Sequence, residues 1–391
     1  MTAASDNVTS SMSHFRNKRN MLIRTYKSVV PDAKASVVLL HGNCSHFRAE
    51  FSAYNMKWYM EKHAIGTPEV EDVVRNELMA VYPNNAGGKT TTDETKFPDA
   101  FTLDGRSFYD ISPRFVHKGS FIEKLNHLGF NVYGLDHQSN GMSEGLNGKR
   151  NYFTNLEDIV DDVIQFIGIV KRNKFDEAGE KYDKEAIGAE SVIGKVYLAG
   201  ISMGGNIALR VAQKTSIYKN GSQNFIDGLI ALAPMTDLSS YTDGVGKKIQ
   251  LSISKAISMA YPSCTLGLAA DNVPKNFNTF FRKNDPHYFG DVQCYAVILS
   301  LFDATRTLRK GHNQYPSDLP TLVLHGKNDD ICDVKGSRDL VNKYLTGLKD
   351  IQYIELDTSV HCLTSSLYVD HIMPQLTTWL QRVHDGACPG A

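Results

Sequence analysis

The pentapeptide Gly200-Ile201-Ser202-Met203-Gly204 fits the pattern G-x-S-x-G, with a serine at its centre. Residues 196–199 before it form a short apolar run suited to a buried strand, and residues 206–212 after it are good helix formers. A strand, a sharp turn and a helix would lift the Ser202 hydroxyl to the apex of the turn. Gly200 and Gly204 are needed there because the strand and helix backbones pass too closely for a side chain. The chemistry this suggests is acyl transfer through a serine nucleophile. A serine hydroxyl is a weak nucleophile at neutral pH, so a histidine must take its proton and a carboxylate must orient the histidine. After such an elbow the order is serine, acid, histidine, with acid and base on loops after later strands. Asp329 follows the apolar run 321–325, and His361 follows the run 351–356; of 13 histidines only His361 has this placement. Asp330 and Asp333 are rivals to Asp329, with helix capping and surface charge as their ordinary roles. The oxyanion of the tetrahedral intermediate needs fixed donors. The β-branched run 36–40 ends in His41-Gly42-Asn43, which makes the backbone N–H of Asn43 one expected donor. The N–H of Met203 is the other, at a helix start where the dipole favours negative charge.

These residues need a scaffold that brings several strand ends together. Strands are expected at 21–30, 130–136 and 225–233, besides those just named. Helices are expected at 121–126, 156–170, 337–344 and 369–383. This alternation predicts an α/β fold with a mostly parallel central sheet and helices on both faces. Two stretches break it. Residues 52–112 read as an insertion after the oxyanion strand. There Tyr54, Trp58, Val70, Val73, Val74, Leu78 and Met79 are spaced for one or two amphipathic helices, followed by a polar loop at 84–92. It either walls the site or decorates the surface. Residues 237–318 read as a helical cap, with pieces at 249–259 and 291–308. Its apolar residues, among them Phe277, Phe280, Phe281, Val297, Ile298 and Leu301, either line a tunnel over Ser202 or pack the cap's own core. The expected organisation is therefore a disordered polar tail (1–20), a core (21–51, 113–236 and 319–386), an insertion (52–112) and a cap (237–318).

Composition narrows the classes. A net charge of −1 over 391 residues sets up no field that would draw nucleic acid or anionic lipid. The basic residues Arg16, Lys18 and Arg19 read as part of a solvated tail. No apolar run is long enough to span a bilayer, and the N-terminus lacks the apolar centre of a signal peptide. Six cysteines without a C-x-x-C pair suggest neither a zinc site nor a dithiol redox site. They read as free thiols in a reducing compartment, which makes the expected location cytoplasmic. Membrane contact, where it occurs, would be peripheral and made through the cap. No metal or cofactor is called for.

Longer motifs surround the candidate residues. The oxyanion loop reads His41-Gly42-Asn43-Cys44-Ser45-His46. Asp136, Gly141, Ser143 and Gly145 fit Asp-x-x-x-x-Gly-x-Ser-x-Gly. The elbow continues to Gly205. Gly326, Asp329, Cys332, Asp333 and Gly336 fit Gly-x-x-Asp-x-x-Cys-Asp-x-x-Gly, and Asp285-Pro286 stands in the cap. In these motifs, over residues 36–51 and about 113–383, the chain resembles the monoacylglycerol lipase and lysophospholipase group of α/β-hydrolases, akin to the serine aminopeptidase S33 enzymes. It is most similar to the parasite-type lysophospholipase branch. The resemblance implies an α/β-hydrolase fold with a helical cap, and a serine hydrolase working through Ser202, His361, Asp329 and an acyl-enzyme. It implies single-chain lipid esters, lysophospholipid or monoacylglycerol, as substrates, and it favours Asp329 over its neighbours. The chain departs from the lipases at Ile201 and Asn140, where histidines are common, and in the 52–112 insertion; these bear on substrate choice. The motifs themselves imply acyl transfer alone. A broad carboxylesterase or acyl thioesterase for small esters, a peptidase, and a ligand-binding receptor on a hydrolase fold stay open. Haloalkane and epoxide hydrolysis are disfavoured, because they need aspartate at the elbow apex.

Overall fold

The computed structural model describes residues 7–63, 103–183, 188–218, 224–241, 265–267, 285–288 and 292–387. In its first part the chain runs through β1 (Thr9–Arg16), β2 (Leu22–Val29), β3 (Ala35–Leu40), α1 (Phe47–Phe51), β4 (Ala53–Tyr54), α2 (Met56–His63), β5 (Phe115–Val116), α3 (Phe121–His127) and β6 (Phe130–Leu135). Next come α4 (Leu156–Lys171), β7 (Val196–Ile201), α5 (Met203–Thr215), β8 (Gly228–Leu232), β9 (Thr265–Gly267), β10 (Val292–Cys294) and α6 (Tyr295–Lys310). The last elements are β11 (Thr321–Gly326), α7 (Val334–Asp339), β12 (Ile351–Leu356) and α8 (Val369–His384).

Eight strands form one sheet in the order β1-β2-β6-β3-β7-β8-β11-β12. The pairs β1–β2 and β2–β6 are antiparallel, and every pair from β6 to β12 is parallel. Strands buried on both faces should be continuously apolar, and β3 (ASVVLL) and β7 (VYLAGI) are buried at every residue. Alternate side chains feed two cores. Val38, Leu40, Val196 and Leu198 pack with residues of α4, α5 and α6 on one face. Val37, Leu39, Tyr197 and Ile201 pack with α3 and α8 on the other. The parallel pairing puts the C-terminal ends of β3, β7, β11 and β12 on one edge of the sheet. Open α/β sheets bind ligands along that edge.

Residues 9–16 overturn the expected disordered tail. They are β1, paired with β2 from Thr9↔Val29 to Arg16↔Leu22. The strand is sparsely apolar because its two large side chains divide between the faces: Met12 enters one core and Phe15 the other. Its outer edge is not bare. Met12 N–H donates to the Arg106 carbonyl at 2.9 Å, and Arg16 N–H to the Glu180 carbonyl at 2.9 Å. Two of the three basic residues are correspondingly engaged: Arg16 Nη1 donates to the Asn20 carbonyl at 2.7 Å, and Arg19 pairs with Asp158.

Smaller differences have equally local causes. The expected 225–233 strand begins only at Gly228. The expected 337–344 helix starts earlier, at Val334, where the Asp333 side chain accepts the Lys335 N–H, and it ends in a π-helical turn over Leu340–Tyr344. The expected helix at 291–308 begins with β10, which pairs with β9, and becomes helical at Tyr295. Val297 and Leu301, offered above as tunnel lining, pack in the main core instead. The insertion starts with β4, which pairs with β5, and α2. The stretch 70–92, the 249–259 helix, Phe277, Phe280 and Phe281 lie outside the described residues. Among the described residues no helix is long and apolar enough to cross a membrane.

Candidate active site

Ser202 sits between the last residue of β7 and the first of α5 with φ 56° and ψ −118°. A non-glycine residue in that region is strained and must be held by its surroundings. The bracing is visible: Ser202 N–H donates to the Leu232 carbonyl at 2.9 Å, and its own carbonyl accepts from Met235 N–H at 2.9 Å. A Cβ on Gly200 would collide with the Gly204 carbonyl, and one on Gly204 with the Leu40 and His41 carbonyls. The glycines of the elbow are thus dictated by the crossing of α5 over β3 and β7. Met203 is the first residue of α5, so its N–H has no partner within the helix.

The loop after β3 lies against this serine. A Cβ on Gly42 would stand 3.3 Å from Ser202 Cβ. His41 fixes the next peptide: its Nδ1 meets the Gly42 carbonyl at 2.7 Å, and its Nε2 accepts the His137 N–H at 2.9 Å. Burial lowers the His41 ring to about 3, so it is neutral with its proton on Nδ1. In a trans peptide the Asn43 N–H points opposite to the anchored Gly42 carbonyl, so its direction is set as well. Underneath, the buried Glu50 accepts a hydrogen bond from Thr364 Oγ1 at 3.1 Å.

Asp329 and His361 emerge after β11 and β12 and meet. His361 Nδ1 lies 2.7 Å from Asp329 Oδ2; the Asp329 side chain is fully buried, while that of His361 is 13% exposed. The carboxylate is shielded and the imidazole is reachable. Asp329 Oδ1 accepts the N–H groups of Ile331 at 2.8 Å and Cys332 at 3.0 Å. His325 Nε2 stands 3.3 Å from Asp329 Oδ2, and its Nδ1 meets Ser337 Oγ at 2.7 Å. Burial alone would raise the Asp329 carboxyl. Hydrogen bonds from His325 and His361, the charge on His361 and the Cys332 amide outweigh it and hold the carboxyl well below the usual range. Of the rivals, Asp333 caps α7 and Asp330 is exposed. The loop after β11 also reaches the elbow serine: Cys332 Sγ is 3.9 Å from Ser202 Oγ. Burial, with the Asp329 charge beside it, pushes that thiol up to about 12.

The Asp136 motif is a brace. Asp136 accepts Phe47 N–H and Met142 N–H, each at 2.8 Å, and Tyr26 OH at 2.6 Å, which ties the end of β6 to the start of α1. Gly141 has φ 52°, and a Cβ there would strike the Asp136 carboxylate. Sequence reasoning missed the partners Glu50, His325 and the pair His46–Asp285, whose Nε2 and Oδ2 are 2.6 Å apart. The Asp285-Pro286 motif carried a signal for the last of these, but nothing in it named the partner.

A family pattern described as serine aminopeptidase, S33 matches residues 112–365. The monoglyceride lipase of Mus musculus is 22% identical over 273 residues, covering 68% of this chain and 78% of that protein. A soluble variant of monoglyceride lipase from Saccharomyces cerevisiae, in complex with a substrate analogue, superposes with TM-score 0.59 at 14% identity, covering 98% of this chain and 97% of that one. The Paleococcus ferrophilus monoacylglycerol lipase gives TM-score 0.52 at 17% identity, covering 96% and 99%. At these identities the structural likeness speaks to the fold, which is the expected α/β-hydrolase fold. The family pattern spans the elbow, the acid loop and the base loop, and the chain belongs to the serine aminopeptidase S33 family of hydrolases.

Proposed function

We propose that this protein is a serine hydrolase of carboxylic esters of single-chain lipids, lysophospholipids or monoacylglycerols, with Ser202, His361 and Asp329 as its triad. The observation that carries the reading is the hydrogen-bonded His361–Asp329 pair on the same sheet edge as the strained Ser202. His361 takes the proton of Ser202 Oγ as the hydroxyl adds to the ester carbonyl carbon. The backbone N–H groups of Asn43 and Met203 receive the oxyanion. The tetrahedral intermediate collapses with cleavage of the C–O bond, and the proton on His361 passes to the departing alcohol. A water, deprotonated by the same histidine, then releases the fatty acid from the acyl-serine. Buried Asp329, kept ionised, holds the ring with its proton on Nδ1 and stabilises the imidazolium that forms.

The lipid substrate class is supported by the names of the mouse, yeast and archaeal relatives. The parasite-type lysophospholipase branch is part of this reading and rests on the sequence resemblance alone. In this reading residues 237–318 form the cap and are the part that meets a membrane surface, and the enzyme is cytoplasmic. A fluorophosphonate probe should label Ser202, and Ser202→Ala should abolish both labelling and ester turnover in a folded protein. Labelling that persists in Ser202→Ala sinks the assignment. Turnover of aminoacyl amides in preference to lipid esters moves the enzyme to the peptidases of its family.

A further inference from the structure

Several buried polar side chains with no part in this chemistry converge on the loop that carries Asn43. His46 is 0% exposed. Its Nδ1 accepts the Ala49 N–H at 3.4 Å and its Nε2 faces Asp285 Oδ2 at 2.6 Å, so a neutral ring protonated on Nε2 satisfies both. Phe115 and His287 pack against it in T-shaped contacts, each with centroids 5.9 Å away. The second oxygen of Asp285 accepts the His287 N–H at 2.9 Å. Asn43 Nδ2 donates to Gln293 Oε1 at 3.4 Å, and Gln293 Nε2 donates to Cys44 Sγ. Three of the four residues from Asn43 to His46 are therefore gripped by Asp285 and Gln293, both from the chain between β8 and α6 and both buried. At its start the same loop is anchored by His41 through the Gly42 carbonyl.

We propose that Asp285 and Gln293 are positioning residues for the oxyanion loop, holding the Asn43 amide where it meets the charge that develops on the ester oxygen. An oxyanion donor is effective only if it is already in place when the charge forms, and a displacement of about 1 Å costs on the order of 10²-fold in rate. Loss of the grip should therefore fall on kcat and spare KM. This assignment presupposes the ester-hydrolase reading of Ser202 and Asn43.

The test uses the full-length chain and a soluble short-chain ester, with kcat and KM measured separately, and a trifluoromethyl ketone whose serine adduct carries an oxyanion. Asp285→Ala and Gln293→Leu should each lower kcat by about 10- to 100-fold with KM within about twofold, and weaken the ketone by a matching factor. Asp285→Asn keeps an oxygen for the His46 N–H and should recover most of the loss. If Asp285→Ala does not fold, Gln293→Leu decides by the same readouts. Wild-type kcat and ketone affinity in Gln293→Leu, and in Asp285→Ala where it folds, overturn the proposal. So does a loss confined to KM, which would make these residues substrate contacts. An active wild-type enzyme with unaffected variants overturns this proposal alone. A wild-type protein that turns over no ester and takes no ketone overturns the functional reading and this proposal with it.

Discussion

Asp329 differs from its two rivals in what it touches. Its buried carboxylate meets His361, His325 and two backbone N–H groups, whereas Asp333 accepts the Lys335 N–H at the start of α7 and Asp330 faces solvent. Asp329→Asn replaces an acceptor with a group that stabilises the wrong tautomer of the base. It should cost about 10⁴-fold in kcat, as it does for a triad aspartate elsewhere. Asp330→Asn and Asp333→Asn should leave kcat within about twofold, because an amide at 333 still caps the helix. A short-ester assay on the three variants checks this, and a crippled Asp330→Asn or Asp333→Asn would move the acid. The strand-end positions of Ser202, Asp329 and His361 were legible in the sequence, because strand ends show as breaks in apolar runs. The contact between His46 and Asp285 was not legible, although both lie in recognisable motifs. The two are 239 positions apart, and only the fold brings them together.

Among the elements, those with a large apolar stripe were legible and those stabilised by neighbours were not. Residues of α4 such as Leu156, Ile159, Val160, Val163 and Ile167 announce an amphipathic helix and do form one wall of the core. By contrast β1 has buried Ser11 and Ser13 on either side of Met12, and its edge partners at Arg106 and Glu180 lie far along the chain. A local cue did exist. The Asn17 side chain accepts the N–H groups of Arg19 at 3.0 Å and Met21 at 2.9 Å, and Asn20 takes φ 60°, so Asn17–Asn20 is a hairpin turn written in asparagine. Asn17 also reaches α4, where its Nδ2 donates to the buried Asp162 at 3.1 Å. Burial raises the Asp162 carboxyl well above its ordinary range, with Asp158 and Asp161 adding to the rise and Asn17 opposing it. The folded chain therefore binds this proton more tightly than the unfolded chain, whose carboxyl titrates near ~3.9. The sign follows: the stabilising proton is present in the folded state at low pH, and stability is lost as pH rises above ~3.9. Asp162→Asn removes that loss and keeps an oxygen for Asn17. Thermal unfolding should show the variant more stable than wild type near pH 7, with the gap closing toward pH 4. A gap independent of pH would show that Asp162 is ionised at no cost.

At the scale of the molecule, two apolar cores clamp a sheet whose parallel strands deliver every proposed catalytic group to one edge. That arrangement is generic to the fold and says nothing about which acyl chain is taken, so selectivity has to come from what stands over the edge. Two described stretches of the region 237–318 reach it. Gln293 and Asp285 contact the oxyanion loop, and Tyr241 OH donates to the Ile331 carbonyl at 2.9 Å, two residues from Asp329. Both belong to the region 237–318, which was readable in the sequence as an interruption of the strand–helix alternation but not as a set of contacts. Its helix α6 turns Val297 and Leu301 into the main core, and in the proposed reading other residues of 237–318 meet the substrate. If they enclose a single acyl chain, each methylene moved from water into that enclosure contributes up to ~0.8 kcal/mol. A gain of that size, appearing in the transition state, is about fourfold in kcat/KM per methylene. Monoacyl esters from acetyl upward, assayed below their micelle thresholds, should therefore show kcat/KM rising with chain length until the enclosure is full and then levelling. A series that is flat, or that falls from acetyl onward, would mean that the sheet edge is open and that the enzyme is a small-ester carboxylesterase.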